Sequence, residues 1–174
     1  MRRIFFAISI PPETRQSLWQ LFSHQHYFGI RWIDQEQLHI TVHFLGEVEN
    51  ETIAQIALQL PVICNSIPAF DLQIENFRTV SKNQKPTMIC AQLEDHLSFS
   101  ALCLSLRSSF PTGETRMPQP HITLARIRQL HQLPFDLPKA KPFLIPVNSV
   151  ELWESHLHAD GSKYQVLGQW KLKK

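Results

Sequence analysis

The 174-residue sequence has little net charge and few cysteines. Its 17 Lys and Arg residues are balanced by 15 Asp and Glu residues, which excludes strong nucleic-acid binding through the overall field alone. The three cysteines are odd in number and form neither a Cys-x-x-Cys motif nor a Cys/His zinc pattern. We therefore predict that Cys64, Cys90 and Cys103 are reduced, buried thiols in a cytoplasmic protein.

Long apolar runs are also missing. The N-terminal segment RRIFFAISIPP is too short to span a membrane, is stopped by two prolines and has no small-residue cleavage site. We interpret it as a buried first strand and expect no membrane association. No solenoid repeat is found, and length and composition fit a single domain over residues 1–174.

Two tetrapeptides of the chain are nearly identical: HITV at residues 39–42 and HITL at residues 121–124. Side chains two residues apart on a β-strand lie on the same face. Each segment would therefore place His and Thr side by side, with branched apolar residues on the opposite face. Two such strands that meet would bring two imidazoles and two hydroxyls to one place.

Hydrophobic periodicity and turn residues predict the elements around these motifs. The predicted elements are a strand over residues 3–10, a helix over 12–27, a loop with Trp32, a strand over 37–45, a helix over 51–60 closed by Pro61, strands over 69–77 and 87–93 joined by a loop over 81–86, a helix over 96–110, a strand over 120–127, and strands over 143–154 and 163–172 joined by a turn at 159–161. Strand–helix–strand units thus occur twice, each ending on a His-x-Thr motif. This order favours an α+β fold of two similar lobes around a shared cleft over a doubly wound parallel sheet.

The paired motifs suit acid–base work on a phosphate. Histidine has a pKa near neutrality, so His39 and His121 can supply one base and one acid at the same pH. The hydroxyls of Thr41 and Thr123 can hold non-bridging phosphate oxygens without a metal. Arg126 is the best candidate for a phosphate-binding cation. Its strand parity is opposite to that of His121, so it reaches the site only if the strand ends or bulges near Ala125.

Two further residues of the first motif strand have open roles. His43 shares strand parity with His39, so it could join the site, help to hold a metal ion or form part of the cleft rim. Phe44 could stack on a base or belong to the core.

The sequence resembles the 2H phosphoesterase superfamily, which is named for two His-x-Thr/Ser-x motifs. Within it the chain is similar to the RNA 2′,3′-cyclic 3′-phosphodiesterases, also called 2′-5′ RNA ligases. The matching stretches, in the family's order over nearly the whole chain, are RIFFAISIP, LHITVHFLGEV, PHITLARI, ELWESHL and GSKYQVLGQW. The motif pair together with these flanking segments is a specific pattern.

The resemblance implies a bilobal α+β fold with pseudo-two-fold symmetry and a cleft between the lobes. It implies metal-independent opening of a 2′,3′-cyclic phosphate on RNA ends or nucleotides to leave a 2′-phosphate, with no cofactor. On this chain His39 would protonate the leaving 3′ oxygen, His121 would activate water, and Thr41, Thr123 and Arg126 would hold the phosphate. Some relatives also join RNA through a 2′-5′ linkage by the reverse reaction. We expect a monomer.

The sequence leaves two other classes of function open. The first is a metal-dependent phosphoesterase that uses His39 and His43 with Asp34 or Glu36, although no Asp/Glu-rich metal signature accompanies these histidines. The second is a non-catalytic module that binds RNA ends or nucleotides on the same fold. The intact pair of His-x-Thr motifs favours catalysis over both.

Overall fold

A computed structural model describes residues 1–22, 27–113, 116–128, 130–141, 143–158 and 161–174. Within those ranges the chain forms nine strands, three α-helices and one short 3₁₀ turn. In chain order the elements are β1 (Arg2–Ser9), α1 (Pro12–Phe22), β2 (Ile30–Trp32), the 3₁₀ turn (Gln35–Gln37), β3 (His39–Val48), α2 (Asn50–Ser66), β4 (Phe70–Lys82), β5 (Lys85–Leu93), α3 (Leu97–Ser109), β6 (His121–Ile127), β7 (Leu144–Val147), β8 (Ser149–His158) and β9 (Gly161–Lys171). The predicted α+β class is confirmed.

The strand order of the sheet is symmetric about its centre. It runs β7-β4-β5-β6-β3-β1-β8-β9, with the short β2 paired onto β6. The central strands β3 and β6 carry the two motifs and pair antiparallel at Ile40 and Ile122. Reading outwards, β5 and β1 are equivalent, as are β4 and β8, and each motif strand is reached through a helix, α1 or α3. This arrangement matches the two pseudo-symmetric lobes expected from the sequence.

One continuous core lies behind the motif strands. The inner faces of β1, β3 and β6 are buried, with Ile40, Val42 and Ile122 all at 0 % exposure. Helix α3 packs its Phe99, Leu102, Cys103 and Leu106 against this face, next to β3. The inner faces of the motif strands are therefore packed against the core, and their outer faces, which carry the His and Thr side chains, are free to contact a substrate.

Helix α2 continues through the proline that was predicted to close it. Pro61 lies inside α2, which ends at Ser66. A proline inside a helix removes one hydrogen bond, but the buried stripe of Ile56, Leu60, Ile63 and Cys64 runs on past it. Burial of the following turn outweighs the lost bond.

Strands at the edges of the sheet also differ from the sequence-based boundaries. The predicted strand over 143–154 is two strands, β7 and β8, which pair at opposite ends of the sheet. Pro146 confines β7 to an edge, where a missing N–H is tolerated. The predicted loop over 81–86 is a two-residue hairpin turn, because Asn83 and Gln84 both have positive φ.

Three other boundaries changed or fall outside the described residues. Helix α1 ends at Phe22. Residues 23–26 of the predicted helix and residues 159 and 160 of the predicted turn lie outside the described residues. Trp32, predicted in a loop, ends β2. No helix in the described part of the chain is long and apolar enough to cross a membrane.

Candidate active site

Each motif strand carries a β-bulge directly after its His-x-Thr pair. On β3, Thr41 and His43 pair with consecutive residues of β1, so Val42 is the extra residue. On β6, Thr123 and Ala125 pair with consecutive residues of β5, so Leu124 is extra. A bulge shifts the alternation of side chains by one residue. In both lobes the side chains that follow the motif therefore point to the opposite face of the sheet from the one that simple alternation predicts.

The reversal decides which later side chains reach the cleft. His43 is turned inwards: it is 3 % exposed, its Nε2 lies 2.8 Å from the Phe110 carbonyl oxygen, and its ring stacks on Phe6. Burial lowers the pKa of His43. At the next position Phe44 and Arg126 are exposed and line the cleft. The condition that the sequence set for Arg126, a bulge near Ala125, is therefore met.

The two motif histidines are held in the same way by backbone carbonyls. His39 Nδ1 lies 2.7 Å from the Gln37 oxygen, and His121 Nδ1 lies 2.8 Å from the Gln119 oxygen. A carbonyl can only accept, so each Nδ1 carries the hydrogen and donates it. The lone pair of each neutral ring is then on Nε2, the nitrogen available to substrate.

The surroundings of the two histidines differ although their backbones match. His39 sits among three aromatic rings, with centroid distances of 5.2 Å to Phe5, 4.9 Å to Trp153 and 5.0 Å to Tyr164. Burial lowers the pKa of His39 to about 4, against the bond to the Gln37 carbonyl, and the charges of His121 and Arg126 lower it further. His39 is therefore neutral at pH 7.

His121 has a cationic rather than an aromatic environment. Burial lowers its pKa, the bond to the Gln119 carbonyl opposes this, and the charges of Arg78 and Arg126 lower it again. The charge of Arg126 thus lowers the pKa of both imidazoles. An anion bound among these groups would reverse the effect and favour a proton on the pair.

A buried carboxylate holds the aromatic wall beside His39. Glu151 is 6 % exposed and accepts three hydrogen bonds, from Ser9 Oγ at 2.6 Å, Trp153 Nε1 at 2.7 Å and Gln169 Nε2 at 2.9 Å. These bonds tie β1, β8 and β9 together. Because Trp153 packs on His39, the network also fixes one side of the imidazole.

The motif threonines lie across the pair of central strands from the opposite histidines. The antiparallel register at Ile40 and Ile122 sets Thr123 across from His39, and Thr41 across from His121. Thr123 Oγ1 lies 3.2 Å and Arg126 Nη1 lies 3.5 Å from the sulfur of Met88. A thioether is a weak acceptor, so a phosphate oxygen can readily replace it.

The motif histidines and threonines line one cleft of about 740 Å³, together with Phe44, Arg78, Met88, Arg126 and Tyr164. The described part of its lining has six cationic side chains, from Arg31, Arg78, Arg107, Arg116, Arg126 and Lys163, and one carboxylate, from Asp34. The sequence did not point to Arg78, Met88 or the aromatic ring partners of His39. They come from strands outside the motifs, although Phe5, Trp153 and Tyr164 lie in the matching stretches RIFFAISIP, ELWESHL and GSKYQVLGQW.

The chain is similar to known phosphoesterases. The model of the family described as LigT like Phosphoesterase matches residues 8–90. A curated relative from Thermotoga maritima, named RNA 2′,3′-cyclic phosphodiesterase, is 25 % identical over 95 % of this chain and 92 % of its own length. The chain is therefore similar to the LigT-like phosphoesterases and to a curated RNA 2′,3′-cyclic phosphodiesterase.

Solved structures agree on the fold. The protein TT0787 of Thermus thermophilus matches with a TM-score of 0.84 and 24 % identity over 98 % of each chain. LigT of E. coli, complexed with 3′-AMP, matches with a TM-score of 0.81 and 24 % identity over 99 % of each chain. LigT has also been crystallised with ATP and with NADP⁺. The fold class and the resemblance predicted from the sequence are thereby confirmed.

Proposed function

We propose that this protein hydrolyses 2′,3′-cyclic phosphates on RNA ends or nucleotides to 2′-phosphates, by acid–base catalysis with His39 and His121. The observation that carries the proposal is the matched pair of imidazoles, each with Nδ1–H donated to a carbonyl and Nε2 left for one shared cleft. The match to the LigT like Phosphoesterase family model and the similarity to a curated relative named for this activity support it.

In the proposed reaction water attacks the phosphorus of the cyclic phosphate. His121 Nε2 takes the proton of the water, and His39 Nε2–H gives a proton to the 3′ oxygen as the P–O3′ bond breaks. The products are a 2′-phosphate and a free 3′ hydroxyl. The hydroxyls of Thr41 and Thr123 and the Arg126 guanidinium stabilise charge on the non-bridging oxygens.

The substrate itself supplies the charge that the mechanism needs. Burial and the neighbouring cations lower the pKa of both histidines. A bound phosphate monoanion offsets those cations and favours the single proton that the pair must carry. If the 5′ hydroxyl of another RNA attacks the phosphorus in place of water, a P–O5′ bond forms as the P–O3′ bond breaks, and the same groups produce a 2′-5′ linkage with no nucleotide cofactor.

Several coarser features complete the proposal. Phe44 offers an exposed ring for a base, in line with the nucleotides found on LigT of E. coli. Three free buried thiols fit a reducing compartment, so we place the protein in the cytoplasm. We propose that residues 1–174 act as one domain and as a monomer.

The alternative metal-dependent mechanism finds less support in the cleft. It needs His39 and His43 on one face, but His43 is turned into the core and engaged with the Phe110 carbonyl. The described residues hold no group of three or more His, Cys, Asp or Glu side chains suited to a metal ion. The non-catalytic alternative gives no reason for two equally oriented imidazoles.

The test is turnover of adenosine 2′,3′-cyclic phosphate in the presence of EDTA, with His39→Ala and His121→Ala as variants. Each should lower kcat by about 10²–10⁴-fold, the usual contribution of a general acid or base. His131→Ala, an exposed histidine outside the cleft lining, is the matched control. Wild-type rates in either motif variant would rule out the mechanism, and tight binding without product would indicate a binding module.

A further inference from the structure

Two arginines lie across from each other on neighbouring strands at one end of the cleft. Arg31 on β2 pairs directly with Arg126 on β6, and both line the cleft. Residues directly opposite on antiparallel strands share a face, with Cβ atoms about 4.5–5.5 Å apart. Their guanidiniums have separate neighbours, Met88 on β5 for Arg126 and Gly161 on β9 for Arg31. The two cations are therefore placed to hold two separate anions.

A glycine makes room for the outer member of this pair. A Cβ atom at Gly161, the first residue of β9, would overlap the Arg31 guanidinium. Gly161 also has φ +130, a conformation that favours glycine. Arg31 is thus packed against bare backbone at the cleft wall, and Lys163, two residues further along β9, adds another cation to the same lining.

Arg31 lies one strand away from Arg126, on the side opposite Met88. Arg126 is on β6, the strand of His121, whereas Arg31 is on β2, which pairs with the edge of β6 that β5 leaves open. Adjacent strands are about 4.8 Å apart, so Arg31 is displaced from Arg126 by one strand along the cleft wall. Arg126 serves the phosphate between the histidines, and Arg31 is placed for the next anion beyond it.

We propose that Arg31, with Gly161 beside it, forms a second phosphate subsite for the internucleotide phosphate attached to the 5′ oxygen of the terminal nucleoside. The inference rests on the proposed function and narrows its substrate class. A cyclic mononucleotide without a 5′ phosphate leaves this subsite empty, whereas an RNA end fills it. The preferred substrate is therefore an oligonucleotide end.

The test compares two dinucleotides that end in a 2′,3′-cyclic phosphate and differ only in their internucleotide link. One has the natural anionic phosphate and the other a neutral methylphosphonate, so both present the same bases. Arg31→Gln removes the cation, Arg31→Lys restores a charge, and Arg128→Gln is the control, because Arg128 is exposed but does not line the cleft. Far-UV circular dichroism and thermal melting verify that each variant is folded.

The wild-type protein should show a kcat/KM about tenfold higher for the anionic than for the neutral dinucleotide, because only the anionic link can accept a charge-assisted hydrogen bond from Arg31. Arg31→Gln should abolish that preference and leave the neutral dinucleotide within about twofold of wild type, and Arg31→Lys should restore part of it. The preference should also shrink as salt is raised.

The subsite is overturned if the wild-type protein treats both dinucleotides alike, or if Arg31→Gln keeps the preference or slows both equally. Equilibrium binding of the corresponding dinucleotides with a 2′-phosphate end gives a readout without turnover. If no cyclic phosphate is opened but binding prefers the anionic link through Arg31, the proposed function fails and the subsite stands. If turnover proceeds with no preference for the anionic link, the proposed function stands and the subsite fails.

Discussion

Phe44 and Arg126 occupy equivalent positions on the two central strands of the sheet. Each is the second residue after a bulge, and each is turned by that bulge from the core to the cleft. The ring of Phe44 rests 5.3 Å from Phe5, whereas the guanidinium of Arg126 lies by Met88. A symmetric backbone therefore carries an aromatic ring at one position and a guanidinium at the equivalent position, so the two halves of the cleft differ in chemistry.

Replacement of Phe44 by Ala should weaken nucleotide binding with little effect on chemistry. Stacking of a base on an aromatic side chain is worth about 1–3 kcal/mol, so KM should rise about tenfold while kcat stays within about twofold. Steady-state kinetics on adenosine 2′,3′-cyclic phosphate measure both constants. Phe28→Ala is a matched control, since Phe28 is 88 % exposed and does not line the cleft. A fall in kcat with unchanged KM would refute the stacking role.

Replacement of Met88 by Gln should impair phosphate binding. Thr123 and Arg126 both direct hydrogens at the Met88 sulfur, and an amide oxygen in that place is a stronger acceptor that competes with the phosphate. We expect KM to rise about fivefold, a loss of about 1 kcal/mol as for one ordinary hydrogen bond. Met88→Leu keeps the volume without the acceptor, so an equal rise in that variant would point to packing instead.

Acidification should destabilise the folded protein through His39. Its pKa falls from the ordinary value of 6.5 to about 4 on folding, so between these values the unfolded chain binds the proton and the folded chain does not. The free energy of unfolding therefore decreases as pH falls from about 6.5 to about 4, by about 3 kcal/mol for this group. Burial lowers the pKa of His43 and His121 as well, so both add to the loss.

Urea denaturation of wild type and His39→Gln at pH 7 and pH 4, in a buffer free of phosphate, isolates the contribution of His39. The variant should lose less free energy on acidification than the wild type. Equal losses in the two proteins would show that His39 does not resist protonation on folding.

Replacement of Glu151 by Gln should lower stability and disturb the aromatic wall. Three donors converge on the buried carboxylate, and an amide offers one oxygen and adds two hydrogens, which leaves at least one donor unsatisfied at a cost of about 1–3 kcal/mol. The urea midpoint should fall accordingly. Glu75→Gln, at an exposed position on β4, should leave it nearly unchanged, and a similar fall in both variants would contradict the network's role.

Strand parity was sufficient to predict which motif side chains meet. The two-residue period places His39 beside Thr41 and His121 beside Thr123, and it requires only that each segment be a strand. The same rule could not extend to His43 or Phe44, because a bulge is set by the partner strand and not by the residues of the motif. For Arg126, the sequence showed only that a strand end or a bulge near Ala125 was required; it could not show that the bulge exists.

Contacts between distant segments account for most of what the sequence did not predict. The rings around His39 come from β1, β8 and β9, and Arg78 comes from β4. Local periodicity contains no information on such pairings. Helix α2 shows the same limit, since its passage through Pro61 depends on burial against β9 and α3 rather than on local propensity.

The two halves of the symmetric sheet differ in how far apart their strands lie in the sequence, so they become complete at different times during synthesis. The half that holds His121 is built from one stretch, β4 to β7, over residues 70–147, whereas the half that holds His39 combines β1 and β3 with β8 and β9 from the other end of the chain. Sequence-distant pairings form slowly. A nascent chain can thus assemble the His121 half on the ribosome, but β1 keeps an open edge until the C-terminal hairpin emerges, and the aromatic shelter of His39 is the last part of the cleft to form.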